Sequence, residues 1–342
     1  MTSMKTLGAV SALAALGAVL ALQPGTASAE KKWNVKIGFA TANDPQHEMG
    51  TRICEVLKKR SNGRFTCATF PASQLGKIPR QVEALQLGTQ EFFLTPPGFL
   101  TGLNQAFQVP DAPGMYDSIA HGHKVLTHPI FRDKFLGLAE KKGIYGTNIY
   151  LYDGTSYASH KPIRKPEDLK GLKIRVLATH MERAVPATFG ATGVPIPYTE
   201  VVPALQKKVV DGARTSLVVM AASKFYTVTK FITVINGGAI PTAAWLSKAW
   251  ANKLPADLRK LVIEMPRELE DWGARNAIAR YKVSEQAWRD NGAEVIRFSD
   301  ADQKRYMDAI RKVGVEYLSN HKNPQVVEIY GLFKKAVAAA RK

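Results

Sequence analysis

The spacing of apolar positions along this chain changes period several times, and each change marks an element. At mid-chain, "LKIRVL" (172–177) alternates Leu172, Ile174 and Val176 with Lys173, Arg175 and Leu177. A period of two predicts a strand with its aliphatic set on one face and Arg175 on the other. "VKIGFA" (35–40), "FTCATF" (65–70) and "EFFLT" (91–95) also read as strands. Between them, residues 46–60 and "IPRQVEALQLG" (78–88) have helical spacing. A second set holds strands at "GIYGTNIYLY" (143–152), "LKIRVL", "VPIPY" (194–198) and "GARTSLV" (212–218), with helices at 179–190 and 198–208. Two β-α sets predict two α/β lobes, each with a largely parallel sheet covered by helices.

The tail follows a different pattern. From Pro255 to Asn291 the spacing is helical with one interruption, Pro266. At ~1.5 Å per residue an unbroken helix there would exceed about 50 Å, longer than one small domain is wide. It would have to run across both lobes. Pro266 lacks an amide donor and clashes with the preceding turn, so it is expected to bend or divide that helix.

The N-terminus adds a compartment. "MTSMKTLGAVSALAALGAVLALQPGTASAE" carries an early lysine, an apolar run from Leu7 to Leu22 and a small-residue end. Ala27-Ser28-Ala29 fits the cleavage pattern of a secretory signal, which predicts residues 1–29 as a signal peptide removed after Ala29. A retained anchor is the alternative, disfavoured by the short apolar run and the helix breakers after it. No later segment is apolar enough to span a bilayer, so stable membrane insertion is not expected. The formal net charge is +18, spread along the chain rather than gathered in one arm. That suits steering of anionic solutes; no nucleic-acid motif accompanies it, and nucleic acid is not an expected partner.

The two cysteines, Cys54 and Cys67, fall in a predicted helix and in the strand after it, across a "SNG" turn. An oxidising compartment favours a disulfide between them, worth roughly 3 kcal/mol in the chain-entropy model. Two buried free thiols are the alternative. No histidine lies near enough in sequence to suggest a nucleophile.

Three longer stretches carry a resemblance. "SNGRFTCATFPASQLGKIPRQVEALQLGTQEFFLTPPGFL", "KPIRKPEDLKGLKIRV" and "FGATGVPIPYTEVVPALQKKVVDG", in this order and spacing, resemble the DctP-type solute receptors of tripartite ATP-independent periplasmic (TRAP) transporters. The resemblance covers nearly all of the chain after the leader. It implies an α/β, two-lobed periplasmic binding protein (class II-like) with a long helix bridging both lobes. One lobe would comprise 30–152 and about 240–265, the other about 153–239 and about 280–342, with the bridge over about 255–291. It further implies a periplasmic monomer that captures a small organic acid and delivers it to a small and a large TRAP membrane subunit. No cofactor and no metal would be needed.

In such receptors the arginine of the "GLKIRV" segment pairs with a ligand carboxylate, and Arg175 occupies that position. A planar five-donor fork mounted on a strand suits a carboxylate. Tyr198 falls where an aromatic often meets the ligand, with ordinary packing as its alternative role. After the next turn the family pattern is followed less closely: Ala213, Arg214 and Thr215 stand where a ligand-contacting asparagine is usual. Thr215 could hydrogen-bond, and Arg214 offers a second cation or a surface charge. Ser156 and Tyr157, after Thr155, replace an arginine found in some relatives. These departures point away from a simple dicarboxylate, toward a carboxylate with a neutral or aromatic remainder, an inference that Arg214 could reverse. Loops after the first strands, Ala40 to His47, Gln74 and Thr95 to Pro97, complete the expected rim, with Thr41 and Thr95 as polar contacts and His47 as a contact or a helix cap.

Two rival classes remain. An exported α/β hydrolase would need a nucleophile elbow, a zinc-binding histidine pair or a phosphate loop, and the sequence contains none. A receptor that presents its ligand to a signalling partner has the same sequence features as one that serves a transporter.

Overall fold

The computed structural model describes residues 31–235 and 239–341; the predicted leader and its cleavage point lie outside these residues. From Lys32 onward the chain forms one compact unit built on two sheets. The first orders its strands β2-β1-β3-β10-β4, with β1 at Trp33–Gly38, β2 at Phe65–Phe70, β3 at Phe92–Thr95, β4 at Ile144–Asp153 and β10 at Ile240–Ser247. The second orders them β11-β9-β5-β8-β6-β7. Here β5 is Thr155–Ser159, β6 Lys173–Val176, β7 Thr192–Pro195, β8 Gly212–Ser216, β9 Phe231–Val234 and β11 Glu294–Arg297.

Parallel pairing holds for β1 with β2 and β3, for β6 with β7 and β8, and for β11 with β9. Each sheet departs from the parallel expectation in one place. β10 runs antiparallel between β3 and β4, and β5 runs antiparallel between β8 and β9. The cause is connectivity. β4 ends at Asp153 in the first sheet and β5 starts at Thr155 in the second, so one nearly continuous extended segment serves both sheets. The chain crosses back between β9 and β10 and returns to the second sheet between β10 and β11, which makes three crossings between the sheets.

The Cys54–Cys67 disulfide is present, with a Cα–Cα distance of 5.2 Å. It ties the helix Pro45–Arg60 to β2. Asp44 caps that helix by accepting from the His47 amide at 3.0 Å, and Pro45 occupies its first turn, where a missing amide costs nothing.

Pro266 divides the tail helix as expected. Helix Ala256–Glu264 passes through a 3-10 turn, Met265–Leu269, into helix Glu270–Asp290. Only this last helix spans the sheets, packing on β4 and also on helix Leu217–Ala222 and β11. Its 21 residues give a length of about 31 Å.

The final segment differs from the expected placement of 280–342 on the second lobe. Helix Pro324–Ala340 packs on the first sheet's layer, burying Val326, Ile329, Tyr330 and Phe333 against Tyr116, Val125, Phe131 and their neighbours. Its apolar stripe demands a cover, but nothing in that stripe specifies which sheet supplies it.

Candidate functional site

The period-two reading of β6 holds. Ile174 and Val176 are fully buried in a core with Tyr157, Leu169 and Tyr306, and Arg175 projects from the opposite face. It too is buried, at 2% exposure. Its Nε donates to the Ile196 carbonyl at 3.0 Å, while Nη1 has no hydrogen-bond partner among the described residues. The guanidinium carbon sits 6.0 Å from the centre of the Tyr198 ring. Burial lowers the Arg175 pKa to about 10, so the side chain remains cationic at neutral pH. A buried, half-satisfied guanidinium is costly unless an anion completes it.

That side chain opens on a narrow cavity of about 30 Å³ between the two sheets. Thr41, Gln46, Thr95 and Tyr152 line it from the first sheet's layer, Leu177, Tyr198 and Thr215 from the second's. Thr95 contributes the second orphan, because its Oγ1 is also buried without a partner. Two residues with an unsatisfied buried polar atom, one a cationic donor and one a hydroxyl, therefore line one small space from opposite lobes. At roughly 10–15 Å³ of such space per water, the cavity holds a water or two; an organic acid fits only if the lobes part.

Most other polar side chains of the cavity are already engaged, and the Thr215 hydroxyl has no hydrogen bond among the described residues. Thr41 donates to Asp44, and the Gln46 side-chain oxygen accepts from Thr242 at 3.0 Å. The Tyr198 hydroxyl bonds to Ser223 at 2.5 Å and to the Val219 carbonyl at 3.3 Å. Burial raises the Tyr198 pKa, keeping it neutral.

Arg175, Tyr198, Thr215, Thr95 and Thr41 are thus gathered around one cavity. Five further expected residues are placed elsewhere. Arg214 forms a buried ion pair with Glu182 at 2.7 Å and donates to Thr155 at 3.1 Å. Alternation decides this: Ala213 stands beside Arg175 in the parallel pair of β6 and β8, so Arg214 faces the opposite side. Tyr157 stands opposite Arg214 in the antiparallel pair of β5 and β8. It follows Arg214 to that side, where its hydroxyl meets that of Tyr306 at 2.7 Å. Ser156 faces Thr215 across the same pair but is buried outside the cavity lining. His47 turns outward within its helix, its Nδ1 accepting from the Asn43 amide at 3.2 Å and its Nε2 meeting Thr69 at 3.3 Å. Gln74 is exposed on the turn after β2. That turn is pinned by the Ala72 and Ser73 amides donating to Thr41 and Phe39, with both residues left-handed (φ 52° and 59°).

Sequence reasoning missed Phe99, Tyr152, Leu177, Val219 and Ile240, all of which line the cavity. They are apolar or aromatic positions inside buried elements, indistinguishable from core by pattern. For Leu177 alone a signal exists, since it shares parity with Arg175 on one strand. No group of three or more histidine, cysteine, aspartate or glutamate side chains suited to a metal occurs among the described residues. No helix among them is long and apolar enough to cross a membrane.

A two-lobed α/β scaffold with a cationic residue buried between its sheets defines the class of binding proteins that enclose a solute. The comparisons narrow that class. The DctP family model, bacterial extracellular solute-binding protein family 7, matches residues 38–320, and the chain belongs to that family. It is 25% identical over 282 residues to the Escherichia coli 2,3-diketo-L-gulonate-binding periplasmic protein YiaO, a match covering 81% of this chain and 84% of that protein. It is 28% identical over 272 residues to the Rhodobacter capsulatus C4-dicarboxylate-binding periplasmic protein DctP, covering 79% and 81%. Among solved structures, a TRAP periplasmic solute-binding protein from Shewanella oneidensis with bound succinate superposes with a TM-score of 0.81 at 26% identity, covering 91% of this chain and all of that one. A Desulfovibrio salexigens counterpart with bound orotic acid shares the fold, with a TM-score of 0.84 at 23% identity and coverage of 90% and 100%.

Proposed function

We propose that this chain is a periplasmic receptor that captures a small organic acid on Arg175 and delivers it, unconverted, to a TRAP-type membrane transporter of one small and one large subunit. The observation that carries the reading is the buried Arg175 guanidinium, whose Nη1 has no partner, on a residue that lines the cavity together with Thr95, whose hydroxyl is also orphaned. Family membership supports the receptor role, and the succinate in the Shewanella oneidensis structure supports an acid as ligand. The receptor would be exported by cleavage after Ala29 and would act as a monomer. Its lobes would part about the three crossings, at Asp153–Thr155, between Val234 and Ile240, and along the helical connection from Ser247 to Glu294, admitting the acid and closing over it by contacting both sides.

Calorimetry on Arg175 variants tests the anchor. Arg175→Ala weakens binding of the cognate acid by about 2–5 kcal/mol, much of it the charge left unpaired. Arg175→Lys also binds poorly, since a point charge cannot reproduce the fork. Undiminished binding by Arg175→Ala, or tight binding of the corresponding neutral amide, overturns the reading.

A further inference from the structure

Beyond the cavity lies a wider groove of about 500 Å³. The two spaces share Ala40, Ile78, Phe99, Leu177 and Tyr198 as common walls, so a ligand held by Arg175 extends into the groove when the lobes part. The groove's chemistry is one-sided. Pro79, Pro195, Ile196 and Pro197 add to the apolar wall. Its two cations lie at the exposed rim, Lys77 paired with Glu200 at 2.7 Å and Arg80 with Glu83 at 3.3 Å, and Ser73 and Thr199 are its other polar side chains.

We infer that the ligand is a monocarboxylate with an apolar tail, aromatic or branched aliphatic, whose carboxylate meets Arg175 and Thr95 and whose tail fills this groove. The inference rests on the receptor reading above and specifies its substrate class. Two facts weigh against the polar alternatives. First, Arg175 Nη1 and Thr95 Oγ1 are the only orphaned buried side-chain atoms on the cavity lining among the described residues. Thr41, Gln46, Tyr152 and Tyr198 already bond protein partners, which leaves the Thr215 hydroxyl as the other polar group on the lining without one. Second, the buried cation nearest in the sheet, Arg214, is neutralised by Glu182 on the opposite face. A second carboxylate, or the several hydroxyls of a sugar acid, would lose water here with few donors or acceptors to replace it, the Thr215 hydroxyl among them. Each such unpaired group opposes binding, whereas an apolar tail gains from leaving water.

Calorimetry of the whole chain with phenylacetate, succinate and galacturonate separates the cases. Phenylacetate binds at least about 100-fold more tightly than either polar acid, in line with the discrimination expected when polar ligand groups are left unpaired. Equal or tighter binding of succinate or galacturonate overturns the apolar-tail assignment and leaves the receptor reading standing. Failure of every acid in a wider panel to bind overturns both. Leu177→Asn, at a half-buried wall position, weakens phenylacetate about 10-fold or more with its urea midpoint unchanged. Phe99→Ser gives the same readout should Leu177→Asn fail to fold. Unchanged phenylacetate affinity in a folded variant of either kind rejects the groove as the tail's site.

Discussion

Two buried arginines stand on adjacent strands of the second sheet and meet opposite fates. Arg175 on β6 and Arg214 on β8 are 2% and 3% exposed. Arg214 has its carboxylate, Glu182 at 2.7 Å, and the charge of that partner holds its pKa above the ordinary arginine value despite burial. Arg175 has a carbonyl and an aromatic ring, and burial moves its pKa the other way, to about 10. One guanidinium has its counter-charge within the protein, although its Nε lacks a partner, and the other is left for a ligand's charge to complete. Burial by itself therefore does not identify a binding residue; burial without a counter-charge does.

The largest test of this contrast removes the internal partner. Glu182→Ala leaves Arg214 buried and uncompensated and costs about 3–5 kcal/mol of folding stability, read as a lower urea midpoint. An unchanged midpoint would show that the pair is not what holds Arg214. The mirror experiment on the other arginine has the opposite sign. Arg175→Met removes an unsatisfied buried donor, so the ligand-free protein gains about 1–3 kcal/mol. A loss of stability in Arg175→Met would place Arg175 among the structural arginines and break the comparison.

The smallest effect concerns pH. Asp111, from the first lobe's 3-10 turn Gln105–Asp111, hydrogen-bonds Thr179 and lies close to Glu182 and Arg214. Burial, and then the Glu182 charge, raise its carboxyl well above the usual range. Because the folded pKa lies above the unfolded one, its contribution to stability is full below about pH 3.9 and is lost as pH rises through the folded value. Over that window wild-type stability carries a component falling by up to about 1.4 kcal/mol per pH unit, and Asp111→Asn removes it. Identical pH profiles for the two proteins would remove Asp111 from the cluster's electrostatics. Arg175, still cationic with its pKa at about 10, gives ligand affinity that is flat from pH 6 to 8.

Much of this was legible in the chain. Alternation within "LKIRVL" placed Arg175 opposite Ile174 and Val176, and the "SNG" turn placed the two cysteines within reach of each other. Pro266 announced the break in the tail helix. The site was legible only in part. Arg214 and Thr215 are consecutive on one strand, so alternation alone forbids both from facing one cavity, but parity cannot say which face is the cleft. His47 and Gln74 sit in loops and helix starts whose outward turn depends on backbone hydrogen bonds to other strands.

The sequence by itself determined the two α/β sets, the faces of β6, the break at Pro266 and the nearness of the two cysteines, because periodicity and short-range closure are local properties. Strands β5, β9, β10 and β11 emerged only in the fold. Tertiary structure alone decided which sheet the last helix covers, which face of β6 and β8 meets the cleft, and which arginine finds a carboxylate. Glu182 lies 32 residues before Arg214 in the chain, and Thr95 comes to the Arg175 cavity from the other sheet. An apolar stripe or a charge states what it needs from its surroundings. Which distant element meets that need is fixed only when the whole chain packs.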